Sequence, residues 1–342
     1  MNANGFADRV RAAHLVPLWD VMRGMLPSEP LPQAQAHHWR LGDWRPPLIE
    51  AASLVTAEQA ERRVLLLENP AYAGEFRVAA CMHAGLQLLA PGETAAPHRH
   101  SQAALRFVIE GSGAYTSVDG AHQHMLPGDF ILTPAFTWHE HANRGAAPMI
   151  WLDGLDLPLV RLLGTTFAQF SQAQDPFAAT STCTEVARMG HGLLPAQRID
   201  RARPSAVVRY PYAAARPALD ALRVAASIDP CHGFRLHYAD PLSGGHAMPT
   251  LAAYLQLLPA GFQGMRYRST EAFIHYVVEG GGTTMIGAQD GSERAIEWLH
   301  GDLFVIPGWL AHRHVASADA VLFNFSDGAA QQNLGLWRER RD

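Results

Sequence analysis

The stretch PHRHSQAALRFVIEG, residues 97–111, decides how the fold of this chain is predicted. Two histidines, His98 and His100, stand one residue apart before an apolar run, and this spacing points both side chains to one face of a β-strand. No carboxylate follows between Ser101 and Leu105. The stretch therefore predicts half of a metal site, with imidazole ligands and no acid.

Two segments recur later in the chain, in the same order. LRFVIEGSGAYTSVDG (105–120) parallels FIHYVVEGGGTTMIG (273–287), and PGDFILTPAFTWHEH (127–141) parallels HGDLFVIPGWLAHRH (300–314). Short apolar runs broken by Gly, Pro and Asp turns are typical of a β-sandwich or barrel. The repeat predicts a duplicated β-domain in a mainly β chain.

These patterns divide the chain into four expected parts. They are an N-terminal helical arm (1–68), a metal-binding β-domain (69–160), a helical and irregular linker (161–240) and a second β-domain (241–342). Within the arm we expect a helix over 7–26 that Pro17 divides, and an extended segment over 27–47. A further helix is expected over 56–67, with Thr56 as its N-cap.

The composition narrows the possible partners. A net charge of -5, with 48% hydrophobic and 17% charged residues, describes a globular chain with a substantial core. This charge favours neither nucleic acid nor an anionic membrane surface, and no segment has the apolar length of a membrane span. Three widely spaced cysteines, Cys81, Cys183 and Cys231, suggest no disulfide framework, so we expect a cytoplasmic protein.

A third histidine, His139 in TWHEH, follows a second glycine turn. If its strand faces the strand of His98 and His100 inside a barrel, three imidazoles converge on one interior point. Neutral imidazole suits zinc, copper, iron and nickel, so the ligand type alone leaves the metal open. A lone HxH is more often a pair of surface or hydrogen-bonded core histidines, but the flanking glycines and the third histidine favour a metal site.

This arrangement resembles the cupin family. Its two motifs match at Gly92, His98, His100 and Gly111, and then at Gly128, Asp129, Pro134 and His139. In most cupins a glutamate of the first motif supplies a fourth ligand, and in this sequence that slot holds Ala104.

Longer segments resemble the gentisate 1,2-dioxygenase group of bicupins, which includes salicylate, substituted-salicylate and 1-hydroxy-2-naphthoate dioxygenases. They are AERRVLLLENP, GLQLLAPGE, HRHSQAALRFVIEG, PGDFILTP, WHEH and WLDGLDLPLV. The resemblance implies two double-stranded β-helix barrels with N-terminal and linker helices. It also implies one Fe(II) per chain, a small aromatic 2-hydroxy acid and O2 as substrates, and a homotetramer.

Several side chains are candidates for substrate binding. Arg106 shares a strand face with Ala104 and should point inward, where it would bind a substrate carboxylate or pair with an internal Asp or Glu. Gln87 could hydrogen-bond substrate oxygen, and Gly85 on the same face would give the ring room. His141 shares a face with His139; we favour a substrate contact or acid/base role over a fourth ligand or a polar rim position.

The resemblance adds three further positions. Asp153 matches an active-site position of the group and would anchor His141 or an arginine. Arg62 matches a substrate-proximal arginine, although on residues alone it is equally a charge on a helix surface. His83 departs from the group, which commonly has Tyr or Trp there, and so bears on the substituent at carbon 5 of the ring.

The second β-domain is expected to be structural and metal-free. Alignment on the EGxG turns places Tyr267 and Ser269 where His98 and His100 stand. His312 falls opposite His139, and His275 falls opposite Arg106. One imidazole among hydroxyl groups is a poor iron site.

The sequence thus predicts an Fe(II)-dependent dioxygenase that cleaves gentisate to maleylpyruvate, between the ring carbons that carry the carboxyl and the hydroxyl group. The alternative substrates are salicylate and 5-substituted salicylates such as 5-nitrosalicylate. An alternative of another class is a non-catalytic effector-binding cupin. A sugar-phosphate isomerase would normally keep the glutamate ligand that Ala104 replaces.

Overall fold

The structure, a computed structural model, describes residues 3–31, 33–171, 207–287 and 292–342. It consists of two β-barrels that follow one another along the chain and pack side by side. Each barrel is built from two sheets. The expected mainly β bicupin fold is confirmed.

The N-terminal barrel contains the strands that carry the predicted metal ligands. Its strands are Val64–Leu66 (β2), His83–Leu89 (β3), Thr94–His100 (β4), Ala104–Glu110 (β5), Ala114–Val118 (β6), Ala121–His124 (β7), Phe130–Thr133 (β8), His139–Asn143 (β9), Met149–Leu155 (β10), Ala168–Phe170 (β11) and Arg209–Tyr210 (β12). One sheet has the order β12-β8-β5-β10-β3-β2, and the other has the order β11-β4-β9-β6-β7. The metal ligands come from β4 and β9, whereas the candidate substrate-binding residues lie mostly on the facing sheet.

The C-terminal barrel repeats this plan. Its strands are His37–Trp39 (β1), Phe234–His237 (β13), Ala252–Leu258 (β14), Phe262–Gln263 (β15), Tyr267–Ser269 (β16), Phe273–Glu279 (β17), Gly281–Gly287 (β18), Glu293–Leu299 (β19), Leu303–Ile306 (β20), His312–Ala316 (β21), Ala320–Ser326 (β22) and Glu339–Arg341 (β23). The sheet orders are β1-β20-β17-β22-β14-β13 and β19-β18-β21-β16-β23, and β15 pairs with β21. Strand β1 comes from the N-terminal arm, so the two ends of the chain meet in this barrel.

Short helices connect and flank the barrels. They are Ala3–Ala12 (α1), Leu18–Met25 (α2), Leu41–Leu54 (α3), Ala57–Ala60 (α4), Leu157–Leu162 (α5), Tyr212–Ala225 (α6) and Gly328–Asn333 (α7), with a 3-10 turn at Pro70–Tyr72. The division of the first helix at Pro17 is confirmed, because Pro17 is the N-cap of α2. None of the described helices is long and apolar enough to cross a bilayer.

Two predictions for the arm were wrong. The segment 27–47 is not extended throughout, because α3 begins at Leu41 despite its two internal prolines, and Trp44 and Leu48 on its inner face are buried. The helix expected over 56–67 ends at Ala60, after the predicted cap at Thr56. The apolar run that follows forms β2 instead, since pairing with β3 satisfies its backbone groups and outweighs local helix propensity.

Part of the expected linker, residues 172–206 with Cys183, lies outside the described residues. The later part holds β12, which pairs with β8, and the helix α6. The linker therefore contributes to the first barrel as well as connecting the two. The other two cysteines, Cys81 and Cys231, are free thiols.

Candidate metal centre and substrate cavity

Strands β4 and β9 bring the three predicted histidines together. Along β4 the buried side chains alternate, so His98 and His100 both point into the barrel while Arg99 between them is half-buried. His139 is the direct cross-strand partner of His98. The ligand nitrogens of the three imidazoles lie within 4.8 Å of one another, and no other group of three such side chains was found among the described residues.

The hydrogen bonds of His100 and His139 fit a metal, whereas the two ring nitrogens of His98 lie 2.6 and 3.0 Å from Nη2 of Arg62. His100 Nδ1 lies 2.7 Å from the carbonyl of Gln102, and His139 Nδ1 lies 3.0 Å from that of Thr137. Because a carbonyl only accepts, each Nδ1 donates, which leaves Nε2 with a free lone pair. His139 Nε2 is buried with no partner in the protein. The site thus offers the donors that a divalent ion requires.

Burial keeps the imidazoles in the neutral form that binds metals. It lowers the pKa of His98 to about 3, with further lowering by the charge of Arg62. It lowers the pKa of His100 to about 4, and the pKa of His139 falls well below its usual value for the same reason. No proton therefore has to be displaced from these side chains near neutral pH when a metal binds.

A cavity of about 160 Å³ opens beside the three histidines. Ala104, in the slot where most cupins have a glutamate, is buried on its wall. The lining residues are Arg62, Val64, Leu66, His83, Gly85, Gln87, His98, His100, Ala104, Arg106, His139, Asp153 and Leu155. The structure therefore brings together all the predicted site residues except His141.

Arg106 has an internal acidic partner. Its Nε lies 3.2 Å from Oδ1 of Asp153 across the β5–β10 pair, in an ion pair that lacks the alignment of a linear hydrogen bond. Asp153 Oδ2 accepts a hydrogen bond from the indole of Trp151 at 2.9 Å, and Arg106 Nη1 donates to the hydroxyl of Thr133 at 2.5 Å. We considered His141 and an arginine as partners of Asp153, and in the structure its partner is Arg106.

Arg62 lies in the cavity and not on a helix surface. Its Nη2 is 2.6 Å from Nδ1 of His98, and its Nη1 is buried without a partner. Burial and the neighbouring charge of Arg106 lower the pKa of Arg62 to about 10, so it remains a cation near neutral pH. Among the lining residues two guanidinium groups thus face one carboxylate, and the cavity attracts anions.

Three lining residues of β3 set the shape of the cavity. Gly85 lies so close to β2 that an added Cβ would come within 2.6 Å of Val64 Cγ1. Gln87 is buried on the same face. His83 Nδ1 lies 2.8 Å from the carbonyl of Phe76 and must donate to it, so Nε2 of this imidazole is an acceptor. Burial lowers the pKa of His83, which favours the neutral ring.

His141 lies deeper in the barrel, outside the cavity lining. It is fully buried, and its ring centroid is 5.9 Å from that of His139 and 5.5 Å from that of Trp151. Its Nδ1 is 2.9 Å from the hydroxyl of Thr116, and its Nε2 has no partner. The sequence placed it on the correct strand face, but the depth of this position depends on barrel curvature.

Sequence reasoning missed the apolar wall formed by Val64, Leu66 and Leu155. The first two were assigned to a helix, and their alternation on a strand became visible only after β2 paired with β3. It also missed Thr133, whose buried hydroxyl is the only polar group of the apolar strand FILT. A single threonine in an otherwise apolar strand could have indicated a buried polar contact at this position.

The second barrel has the same cross-strand pairs as the metal site, but other side chains occupy most of these positions. Tyr267 is the cross-strand partner of His312, as His98 is of His139. His275 is paired with Asn324 where Arg106 is paired with Asp153. The predicted alignment of the two halves therefore agrees with the strand register.

Comparison with known proteins gives the family. A family model described as a cupin domain matches residues 85–155. Over 337 residues the chain is 44% identical to gentisate 1,2 dioxygenase 1 of Aquipseudomonas alcaligenes, a match that covers 98% of this chain and 96% of the relative. The chain belongs to the gentisate 1,2-dioxygenase family. The prediction of an aromatic ring-cleaving dioxygenase is confirmed with it.

Other members of the gentisate dioxygenase family differ in the substrates for which they are named. The 5-aminosalicylate 1,2-dioxygenase of Comamonas sp is 35% identical, over 96% of this chain and 87% of the relative. Among solved structures, the salicylate 1,2-dioxygenase of Pseudoaminobacter salicylatoxidans in its adduct with gentisate has a TM-score of 0.90 and 30% identity. That match covers 99% of this chain and 93% of the other.

Proposed function

We propose that the protein is an Fe(II)-dependent dioxygenase that cleaves gentisate to maleylpyruvate. The observation that carries this proposal is the combination of three neutral imidazoles, an alanine in the acidic slot, and two arginines in one cavity. Such a site lacks an anionic ligand and binds anions. A substrate with a carboxylate beside a hydroxyl group supplies what is missing.

The reaction balances with gentisate and O2 alone. The bond between the ring carbons that carry the carboxyl and the adjacent hydroxyl group breaks, and each carbon gains one oxygen atom. The hydroxyl-bearing carbon becomes a carboxyl group and the other becomes a ketone, so the product is substrate plus O2. Iron held by His98, His100 and His139, one per chain, would supply the contact through which electrons pass from the ring to oxygen.

The protein side chains bind and orient the ring. Arg106, paired with Asp153, and Arg62, with its unpartnered Nη1, would bind the carboxylate through charge-assisted hydrogen bonds. Gln87 is placed to contact a substrate oxygen, and Gly85 leaves space for the ring. His141 lies behind the metal ligands with its buried Nε2 unpartnered, and it would orient a hydroxyl group of the substrate through this nitrogen.

His83 favours gentisate over the alternative substrates. Its Nε2 is an acceptor on a ring that lines the cavity, because Nδ1 donates to Phe76. A 5-hydroxyl or 5-amino group can donate to this nitrogen. Carbon 5 of salicylate carries no group that could donate a hydrogen bond to this nitrogen. A 5-nitro group has only acceptor oxygens, which would face the acceptor Nε2 of His83.

The test is a substrate panel under matched conditions. Iron-loaded protein is assayed for oxygen uptake with gentisate, 5-aminosalicylate, salicylate and 5-nitrosalicylate. We expect kcat/KM to be highest for gentisate, followed by 5-aminosalicylate. A higher value for salicylate or 5-nitrosalicylate would overturn the substrate assignment, and no uptake with any of them would overturn the dioxygenase function.

We further propose a cytoplasmic homotetramer. In support of subunit contact, α2 has no buried residue, and Leu18, Trp19 and Met25 on it are largely exposed. Apolar side chains in so short a helix need a packing surface. Light scattering after gel filtration gives the mass directly; we expect the mass of four chains, and that of a monomer or a dimer would contradict the tetramer.

A further inference from the structure

We propose that Thr133 and Trp151 are positioning residues that hold the Arg106–Asp153 pair in the orientation that binds the substrate carboxylate. The inference rests on the proposed function, because it assumes that a carboxylate binds Arg106. Neither residue lines the cavity. Both act through the side chains that do.

The two residues contact opposite ends of the ion pair. Trp151 Nε1 donates to Asp153 Oδ2 at 2.9 Å, and Arg106 Nη1 donates to Thr133 Oγ1 at 2.5 Å. Trp151 and Thr133 are fully buried, on the two strands that flank β5. A continuous chain of polar contacts therefore runs from Trp151 through Asp153 and Arg106 to Thr133.

This chain limits the freedom of the guanidinium. The ion pair alone does not fix it, since Nε and Oδ1 are 3.2 Å apart without the alignment of a hydrogen bond. With Nη1 held by Thr133 and the Asp153 carboxylate held by Trp151, the guanidinium is restrained from both sides where Arg106 lines the cavity. A preorganised donor loses less entropy when its ligand binds.

The internal duplication supplies an independent argument. Strand register equates Arg106 with His275 and Asp153 with Asn324. Thr133 pairs with Ala104 in the first barrel, and Ile306 pairs with Phe273 at the same register in the second. Trp151 pairs with Gln87, and Leu322 pairs with Gln256 at the equivalent register. All four members of the chain have thus been replaced in the second barrel.

Some neighbouring positions outside this chain of contacts keep the same residue in the second barrel. His139 and His141 correspond to His312 and His314, and Gln87 corresponds to Gln256. Even a hydrogen bond is kept, since Thr284 bonds His314 at 2.9 Å as Thr116 bonds His141. Thr133 and Trp151 are thus lost from the second barrel together with the arginine–carboxylate pair and with the metal ligands His98 and His100, while part of the barrel interior is kept.

The test compares Thr133→Val with Thr133→Ser, and adds Trp151→Phe. Valine keeps the shape of threonine and removes its acceptor, whereas serine keeps the acceptor. Thr284→Val is the matched control, because Thr284 is equally buried but lies in the other barrel. The readouts are KM and kcat for gentisate, anaerobic binding of gentisate by calorimetry, and the midpoint of thermal unfolding.

We expect Thr133→Val to raise KM and the dissociation constant for gentisate about 10-fold, because one hydrogen bond to a charged group is lost. The value of kcat should change less than about 2-fold. Thr133→Ser should keep KM and the dissociation constant near their wild-type values, and Trp151→Phe should raise KM.

An unchanged KM in Thr133→Val, an equal rise of KM in Thr284→Val, or no rescue by serine would overturn the inference. If Thr133→Val does not fold, Thr133→Ser and Trp151→Phe still decide it. A wild-type protein that does not bind gentisate would instead overturn the proposed function.

Discussion

The rings of Phe107 and Phe323 stack with their centroids 4.1 Å apart and their planes at 17°, one ring from each barrel. Phe107 follows Arg106 on β5 and faces the opposite way, into the core that the two barrels share. A Cβ on Gly154 would come within 2.6 Å of the Phe325 ring, so this ring of the second barrel packs directly against the backbone of β10. The second barrel therefore supports, from behind, the strands that carry Arg106 and Asp153.

Replacement of Phe323 by Ala should destabilise the whole chain. The lost contacts and the cavity left between the barrels should cost about 3–5 kcal/mol in the free energy of unfolding. Urea unfolding followed by fluorescence measures this value. Phe76→Ala, at an exposed position, is the control and should change it by less than about 0.5 kcal/mol. Equal effects of the two variants would show that the barrels do not support each other.

Gly85→Ala should reduce the fit of the substrate ring. The new Cβ would meet Val64 Cγ1 at 2.6 Å and the carbonyl of Leu65 at 3.3 Å, so β2 must shift or the cavity must narrow. Overpacking of this kind costs about 1–3 kcal/mol, and where this cost falls on the complex with substrate it lowers kcat/KM for gentisate by a factor of about 5–150. Gly42→Ala, where an added Cβ has open space, controls for the glycine change. Unchanged kinetics in Gly85→Ala would place the ring elsewhere.

His83→Phe should change substrate preference more than overall activity. Phenylalanine fills the cavity wall but removes the acceptor at Nε2 that we assign to the 5-hydroxyl group. The ratio of kcat/KM for gentisate to that for salicylate should fall by about 5- to 10-fold, the loss of one neutral hydrogen bond. Parallel assays of both substrates give this ratio, and a ratio equal to that of the wild type would exclude His83 from recognition of carbon 5.

The second barrel should be sensitive to acid. Burial lowers the pKa of His275 well below its usual value, and repulsion from the protonated forms of His314 and His312 and from Arg235 adds to the effect. It lowers the pKa of His312 to about 4. Since the unfolded chain takes up these protons first, stability is fully present above pH ~6.5 and is lost as pH falls towards ~4.

His275→Gln tests this linkage, because it removes one buried titratable group. The free energy of unfolding of wild type should fall faster between pH 6.5 and 4 than that of the variant, by up to about 1.4 kcal/mol per pH unit. His124→Gln, at an exposed position, should leave the slope unchanged. A His275→Gln slope equal to that of wild type would contradict the assigned role of His275.

The sequence predicted the metal ligands and Arg106 through strand periodicity, whereas Arg62 and Asp153 were predicted only from the resemblance to the family. The two-residue period of a β-strand put His98 and His100 on the same face. The internal repeat located both barrels. Arg62 and Val64 were placed in a helix because local propensity cannot reveal that the following run pairs with β3. The contacts of Thr133 and the depth of His141 depend on pairing across the barrel, and local patterns carry no such information.

The central claim is a three-histidine iron site that inserts both atoms of O2 into gentisate. The most direct measurement is a single turnover of anaerobically iron-loaded protein with gentisate and isotopically labelled O2, followed by mass spectrometry of the product. We predict a ring-opened product that carries one label in its new carboxyl group and one in its new ketone, provided that exchange with water is quenched. His139→Ala should give no product, because it removes one of the three ligands. Unlabelled product, or turnover supported by zinc in place of iron, would contradict the claim.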